Sequence, residues 1–151
     1  MDQPVAIHVL ANDSDLDGDT VLLDGLVTPP ANGVAALNPG VLPDASDDYY
    51  DYTPNPGYFS APAADSFVYR ISDGSGGFAT AIVSVTVNGP PIGQDDAFTL
   101  AEDSALSANV FADNGSGPDT DPNGDTLSAV QLSGPAHQDP AIPFALNADG
   151  S

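Results

Sequence analysis

The chain has no cysteine, no tryptophan and no lysine, and Arg70 is its single basic residue. Each absence closes off a class of function. Phosphate backbones are held by Lys and Arg that displace counterions, so nucleic acid is excluded as a partner. An anionic membrane surface is disfavoured on the same ground. Nucleophilic catalysis lacks its parts, because there is no Cys or Lys and neither histidine stands beside a nucleophile. Zinc needs convergent His or Cys ligands, and His8 and His137 offer none. Without cysteine the chain fits a reducing cytosol or a bacterial extracellular repeat made rigid by metal in place of disulfides. No apolar run reaches the roughly 18 residues of a membrane span, so no membrane insertion is expected. The opening Met1-Asp2-Gln3-Pro4-Val5 has neither the basic nor the apolar region of a secretion signal. The expectation is an excised fragment, or export by a route that does not read this end.

What the chain has in excess is aspartate. Of 22 acidic residues, all but Glu102 are Asp, and the net charge is −21. Asp favours turns, caps and metal loops, whereas Glu favours helices, so the bias points to positional roles for the carboxylates. Fifteen Gly and fifteen Pro break the chain into short segments. Val, Thr, Phe and Tyr fill those segments, which reads as an all-β protein of many short strands with almost no helix.

An internal repeat organises the sequence. Asp2-Gln3-Pro4-Val5-Ala6-Ile7-His8-Val9-Leu10-Ala11-Asn12-Asp13 aligns with Asp103-Ser104-Ala105-Leu106-Ser107-Ala108-Asn109-Val110-Phe111-Ala112-Asp113-Asn114 at an offset of 101. Asp15-Leu16-Asp17-Gly18-Asp19-Thr20 then aligns with Asp121-Pro122-Asn123-Gly124-Asp125-Thr126 at an offset of 106. The expected layout is one unit over residues 1–88 lacking its first strand, a Pro-rich linker over 89–94, and the opening part of a second unit over 95–151. Both ends would then carry unpaired sheet edges.

Alternation of apolar and polar residues places a strand at Val5, Ile7 and Val9, with His8 pointing outward. Further strands are expected over 19–27, 33–37 and 49–53. Phe67, Tyr69 and Ile71 form one inward row, and Ala81, Val83, Val85 and Val87 form another. Ser72-Asp73-Gly74-Ser75-Gly76-Gly77 between them reads as a hairpin turn. A strand over 97–101 should open the second unit.

Asp13, Asp15, Asp17 and Asp19 alternate around Gly18, which is the ligand spacing of a twelve-residue calcium loop, with Asp24 at its last position. Asp119, Asp121, Asn123 and Asp125 repeat the spacing around Gly124, with Val130 at the last position. Two carboxylates about 4 Å apart repel by roughly 4 kcal/mol at an effective dielectric near 20, so a bound cation would relieve each loop. The other reading of both loops is a set of solvated Asx turns. Tyr49, Tyr50 and Tyr52, set among Asp47, Asp48 and Asp51, suit a carbohydrate-stacking patch or the packing of a core or edge.

Three further segments complete a recognisable set. These are Tyr52-Thr53-Pro54-Asn55-Pro56-Gly57-Tyr58-Phe59, Asp65-Ser66-Phe67-Val68-Tyr69-Arg70-Ile71-Ser72-Asp73-Gly74 and Val83-Ser84-Val85-Thr86-Val87. With Val9-Leu10-Ala11-Asn12-Asp13 and the first acidic loop, they make the chain resemble the bacterial cadherin-like, immunoglobulin-like tandem repeats of the VCBS type. The resemblance implies β-sandwich modules standing in rows in large extracellular or cell-surface adhesins that bind calcium. It also implies calcium between modules, at Asp95, Asp96, Glu102 and Asp103, where charge that protects an edge strand is the alternative.

The expected function is a calcium-stiffened structural or adhesive repeat, with neighbouring repeats as its partners. Alternatives are a carbohydrate-binding module for surface glycans, and a subunit of an extracellular filament in which residues near 97–101 of one copy add as a strand to another. Paired carboxylates for glycoside hydrolysis remain open among so many aspartates. A catalytic cleft needs more chain than a small sandwich offers, so the protein reads as non-enzymatic.

Overall fold

The structure is a computed structural model that describes residues 3–41, 43, 45–101, 104–134 and 144–151. The chain separates into two compact units, Met1–Asn88 and Gly89–Ser151.

The first unit is all-β. Its strands are β1 (Val5–Ile7), β2 (Leu22–Thr28), β3 (Gly33–Asn38), β4 (Tyr49–Pro54), β5 (Asp65–Ser72) and β6 (Phe78–Val85). They form two three-stranded antiparallel sheets, ordered β1-β4-β3 and β2-β5-β6. The sheets meet through the side chains that period-two alternation turns inward: Tyr50 and Tyr52 from one sheet, Leu23, Phe67 and Tyr69 from the other. The Tyr50 and Phe67 rings meet edge to face, 5.4 Å between centroids, an arrangement that aromatic quadrupoles favour. This is the immunoglobulin-like sandwich that the sequence led one to expect. The hairpin β5–β6 runs in unbroken register from Asp65↔Val85 to Ser72↔Phe78. Its turn is set by Asp73, whose carboxylate accepts the amides of Ser75 and Gly77.

Three expectations need correction. β1 stops at Ile7, because the carbonyl of His8 accepts the amide of Ala11 at 3.2 Å and winds Val9–Asn12 into one turn of 3-10 helix. That turn drops Val9 into the core. β2 starts at Leu22 rather than at residue 19, since the amide of Asp19 is held back in the acidic loop by Asp15. Residues 97–101 form no strand: the amide of Ala97 donates to the carbonyl of Asn114 at 3.4 Å, but no ladder extends from that bond among the described residues.

The second unit carries no strand among its described residues, only a single antiparallel bridge between Ile92 and Thr120. The stretch expected as a linker is hydrogen-bonded to the second acidic loop. Gly89 donates to the Asn123 side chain, Gln94 donates to Asp119, and Ile92 exchanges both backbone bonds with Thr120.

Candidate functional site

The first acidic loop leads from the 3-10 turn to β2. Its geometry is an Asx turn: Asp15 Oδ1 accepts the amides of Asp17 at 2.8 Å and Asp19 at 3.2 Å. Gly18 takes φ +86°, a left-handed conformation that costs glycine nothing. Asp13 is held differently. Its Oδ2 accepts the hydroxyl of the buried Tyr69 at 2.8 Å, and the same hydroxyl lies 3.2 Å from the carbonyl of Val9. Burial, with Asp13 beside it, pushes the Tyr69 pKa up to about 12. One phenol thus fastens the head of the loop to the sandwich core, while Asp17 and Asp19 face solvent.

The last expected ligand of this loop, Asp24, lies elsewhere. Between Leu23↔Ile71 and Gly25↔Arg70 strand β2 has one residue more than β5. Asp24 is the extra residue of this bulge, and bulges re-aim side chains. Its carboxylate is ion-paired with Arg70, whose guanidinium also lies over the Phe78 ring at 5.0 Å. Asp24 therefore serves the outer face of the sheet, and the first loop keeps Asp13, Asp15, Asp17 and Asp19.

The second loop repeats the turn. Asp121 Oδ1 accepts the amides of Asn123 at 2.8 Å and Asp125 at 3.2 Å, and Gly124 takes φ +80°. Asp119 and Asn123 accept the backbone bonds from Gln94 and Gly89. Asp96 accepts the Asn114 side-chain amide at 3.0 Å, and Asp95 is exposed. Glu102 and Asp103, expected to join that pair, lie outside the described residues, as does His137. Among the described residues no three His, Cys, Asp or Glu side chains are gathered to hold a metal ion. Both loops are built on an Asx turn.

The tyrosine cluster does not form a stacking patch. Tyr50 and Tyr52 are each 1% exposed and belong to the core, so no sugar ring can reach their faces. Tyr49, on the opposite face of β4, is half-buried and stacks on His8 with 4.7 Å between centroids. The neighbouring acids serve the turn between β3 and β4: Asp47 accepts from Val41, Asp48 from Gly40, and Asp51 from the Asn38 amide.

A heavily bonded carboxylate, Asp65, was not singled out in the sequence. It is 3% exposed and accepts four hydrogen bonds, from the amides of Ala31, Asn32 and Ser66 and from the Tyr52 hydroxyl at 2.9 Å. Burial acts to raise its pKa, but the Tyr52 hydroxyl and the three amides outweigh burial and hold it below the ordinary 3.8. Tyr52 is pushed in the opposite sense, upward, first by burial and then by Asp65. A signal existed: Asp65 shares its parity with Phe67 and Tyr69, so alternation puts its carboxylate on the inward face.

No helix among the described residues is long and apolar enough to cross a membrane. No curated protein and no solved structure matches the chain. The family model for the bacterial Ig domain matches residues 1–86, which are the six strands and the first acidic loop. That match spans more than half of the chain, and with the two-sheet architecture it means that the protein belongs to the bacterial Ig domain family.

Proposed function

We propose that the chain is a non-enzymatic repeat of a large extracellular bacterial surface protein, of the cadherin-like VCBS type, and that calcium bound at its acidic loops stiffens it for a structural or adhesive role. Membership of the bacterial Ig domain family supports the structural part of this reading. The calcium part rests on one observation above all. The Asp-x-Asp/Asn-Gly-Asp turn occurs twice, with the same hydrogen-bond lengths of 2.8 and 3.2 Å, in a chain of net charge −21. Such a turn needs only its first carboxylate, Asp15 or Asp121, to accept the amides. The further carboxylates at alternate positions add repulsion and contribute nothing to the turn.

The donor set suits a hard cation. Asp13, Asp15, Asp17 and Asp19 in one loop, and Asp119, Asp121, Asn123 and Asp125 in the other, offer only oxygen ligands of the kind calcium takes. Asp95, Asp96, Glu102 and Asp103 would hold a further ion near the junction of repeats. A bound ion would supply charge neutralisation and a cross-link between loop and strand.

The affinity expected of extracellular modules, about 10⁻⁴ to 10⁻³ M, makes 10 mM calcium stabilising by roughly 1.4–2.7 kcal/mol. For a unit of this size that is a rise in melting temperature of roughly 5–20 °C. Thermal denaturation with and without calcium, with chelator reversal and a magnesium control, tests the reading. A melting curve indifferent to calcium removes it.

A further inference from the structure

Two leucines of the first unit stand half in water along one side of the sandwich. β2 and β3 are edge strands of the two sheets and are joined by residues 29–32 alone, so they lie along the same side. Both connections of β3, 29–32 and 39–48, are internal to the chain. Leu26 in β2 pairs with Tyr69, and Leu37 in β3 pairs with Tyr50. Directly opposed residues turn to the same face, and both tyrosines are buried between the sheets. Leu26 and Leu37 therefore have the inward parity, yet they are 38% and 52% exposed. The apolar filling of the sandwich runs out to this rim and meets water there.

The two backbone edges on that side differ. β2 is blunted: its register breaks at Asp24 and again at Val27, Asp24 adds a charge, and the amide of Leu23 donates to the Ala45 carbonyl. β3 has none of these devices. It pairs with β4 without a break from Gly33 to Asn38, and β4 is its one strand neighbour among the described residues. The N–H and C=O groups on its other side are a template for one more strand. In a chain of net charge −21, residues 25–43 carry no charge at all. An uncharged strand with apolar side chains can approach this edge with little local repulsion, and β3 of a second copy is such a strand.

We propose that β3 of one copy pairs antiparallel with β3 of a second copy about a two-fold axis normal to the sheet, near Ala36. The main chain supplies the hydrogen bonds and joins the two sheets as β1-β4-β3-β3-β4-β1. Beneath the joined sheet β2 of each copy faces its counterpart, so that Leu26 and Leu37 leave water. The contact is isologous: both copies use the same surface, and association stops at the dimer. The paired edge is short, 6 residues in each copy, which places the dimer among weak, transient ones. At long range the charge of −21 on each copy opposes it. Screening of this repulsion makes association strengthen as ionic strength rises, the reverse of an ion-paired interface.

Sedimentation of the full chain in EDTA, from low salt to about 0.5 M, where the Debye length falls below ~5 Å, tests the proposal independently of calcium. The weight-average mass should climb from the 15.2 kDa of one copy toward twice that value, and no further, as salt and protein concentration increase. Ala36 is exposed on the outer face of β3, so charges placed there leave the core intact. Ala36→Asp and Ala36→Lys each set like charges against each other across the axis, and each should return the mass to that of one copy while the first unit melts as before. Mixing the two variants sets opposite charges together and should restore the dimer. Because the chain has no cysteine, Ala36→Cys should also cross-link several-fold faster on oxidation than Ile82→Cys, which is exposed on the other sheet, in edge strand β6. A single-copy mass at every salt concentration, growth beyond the dimer, association that survives both charge variants, or a mixture that stays monomeric would overturn the proposal. Cross-linking at Ile82 as fast as at Ala36 would do the same and point to β6 as the edge in contact.

Discussion

The two units share their turns and differ in their sheets. Asp15 and Asp121 hold the same Asx turn with the same pair of distances, 2.8 and 3.2 Å. The turn just upstream is shared too: Ala11 to His8 in one unit and Ala112 to Asn109 in the other, both at 3.2 Å. Yet Val5-Ala6-Ile7 is a strand and its counterpart Leu106-Ser107-Ala108 is not. Bonds that span two to four residues form wherever the local sequence asks for them. A strand forms only when distant chain supplies its neighbour, as residues 50–52 do for β1. The second unit therefore keeps the acidic-loop sequence and its turn, with no strand among its described residues.

The largest effect should come from breaking what only the first unit has. Asp65→Ala removes the acceptor for three amides and the buried Tyr52 hydroxyl. Unsatisfied buried donors cost roughly 1–3 kcal/mol each, so a loss of about 3 kcal/mol or more is expected from a domain whose whole stability is about 5–15 kcal/mol. Circular dichroism should show the first unit melting far earlier or not folding. Amide exchange at Asn123 and Asp125 should not change. A variant as stable as the parent would mean that the carboxylate does not organise the sandwich.

Alkaline titration sharpens the comparison next. Tyr69 ionises at about 12 in the folded unit, raised by burial and then by Asp13, against 10.0 in the unfolded chain. Tyr52 and Tyr50 are raised in the same direction. A raised phenol contributes stability that is complete below pH 10. Above it the unfolded chain ionises while the folded unit still holds the proton, and stability falls until about pH 12. For Tyr69 that loss is on the order of 2–3 kcal/mol. Tyr69→Phe should remove this share of the alkaline destabilisation. At neutral pH it should cost about 1–2 kcal/mol for the lost bond to a carboxylate. Melting curves from pH 8 to 12 read both effects. The second unit's described residues include no tyrosine, so its exchange pattern should show no transition of this kind.

The same division between local and distant contacts explains what was legible in the sequence. Strands expected over 33–37 and 49–53 occur as Gly33–Asn38 and Tyr49–Pro54, and the hairpin lies where alternation and the Gly-rich turn put it. The Asx turns were visible because their donors and acceptor lie within five residues. The inward placing of Val9 was legible in the alternation, but the turn of 3-10 helix that delivers it to the core was not. Asp24 was misplaced because a bulge in β2 cannot be read without its partner strand. Tyr50 and Tyr52 share a face by alternation, but which face meets the other sheet depends on Phe67 and Leu23, many residues away.

The smallest effect separates the turn from the metal. Asp15→Ala and Asp121→Ala each remove the acceptor of two exposed backbone bonds, and the released amides can turn to water. The cost should be at most about 1 kcal/mol. In the first unit this should lower the melting temperature by roughly 4–8 °C, because the loop leads directly into β2. In the second it should appear only as faster exchange at Asn123 and Asp125. Asp15→Asn keeps Oδ1 as an acceptor for the amides of Asp17 and Asp19 but removes a charge. Without calcium it should leave the melting temperature unchanged or raise it slightly, since it relieves repulsion from Asp13 and Asp17. With calcium it should shrink the stabilisation that the ion confers. If Asp15→Asn instead lowered stability as much as Asp15→Ala with no metal present, the charge itself would be holding the turn, and the surplus carboxylates would no longer argue for a cation.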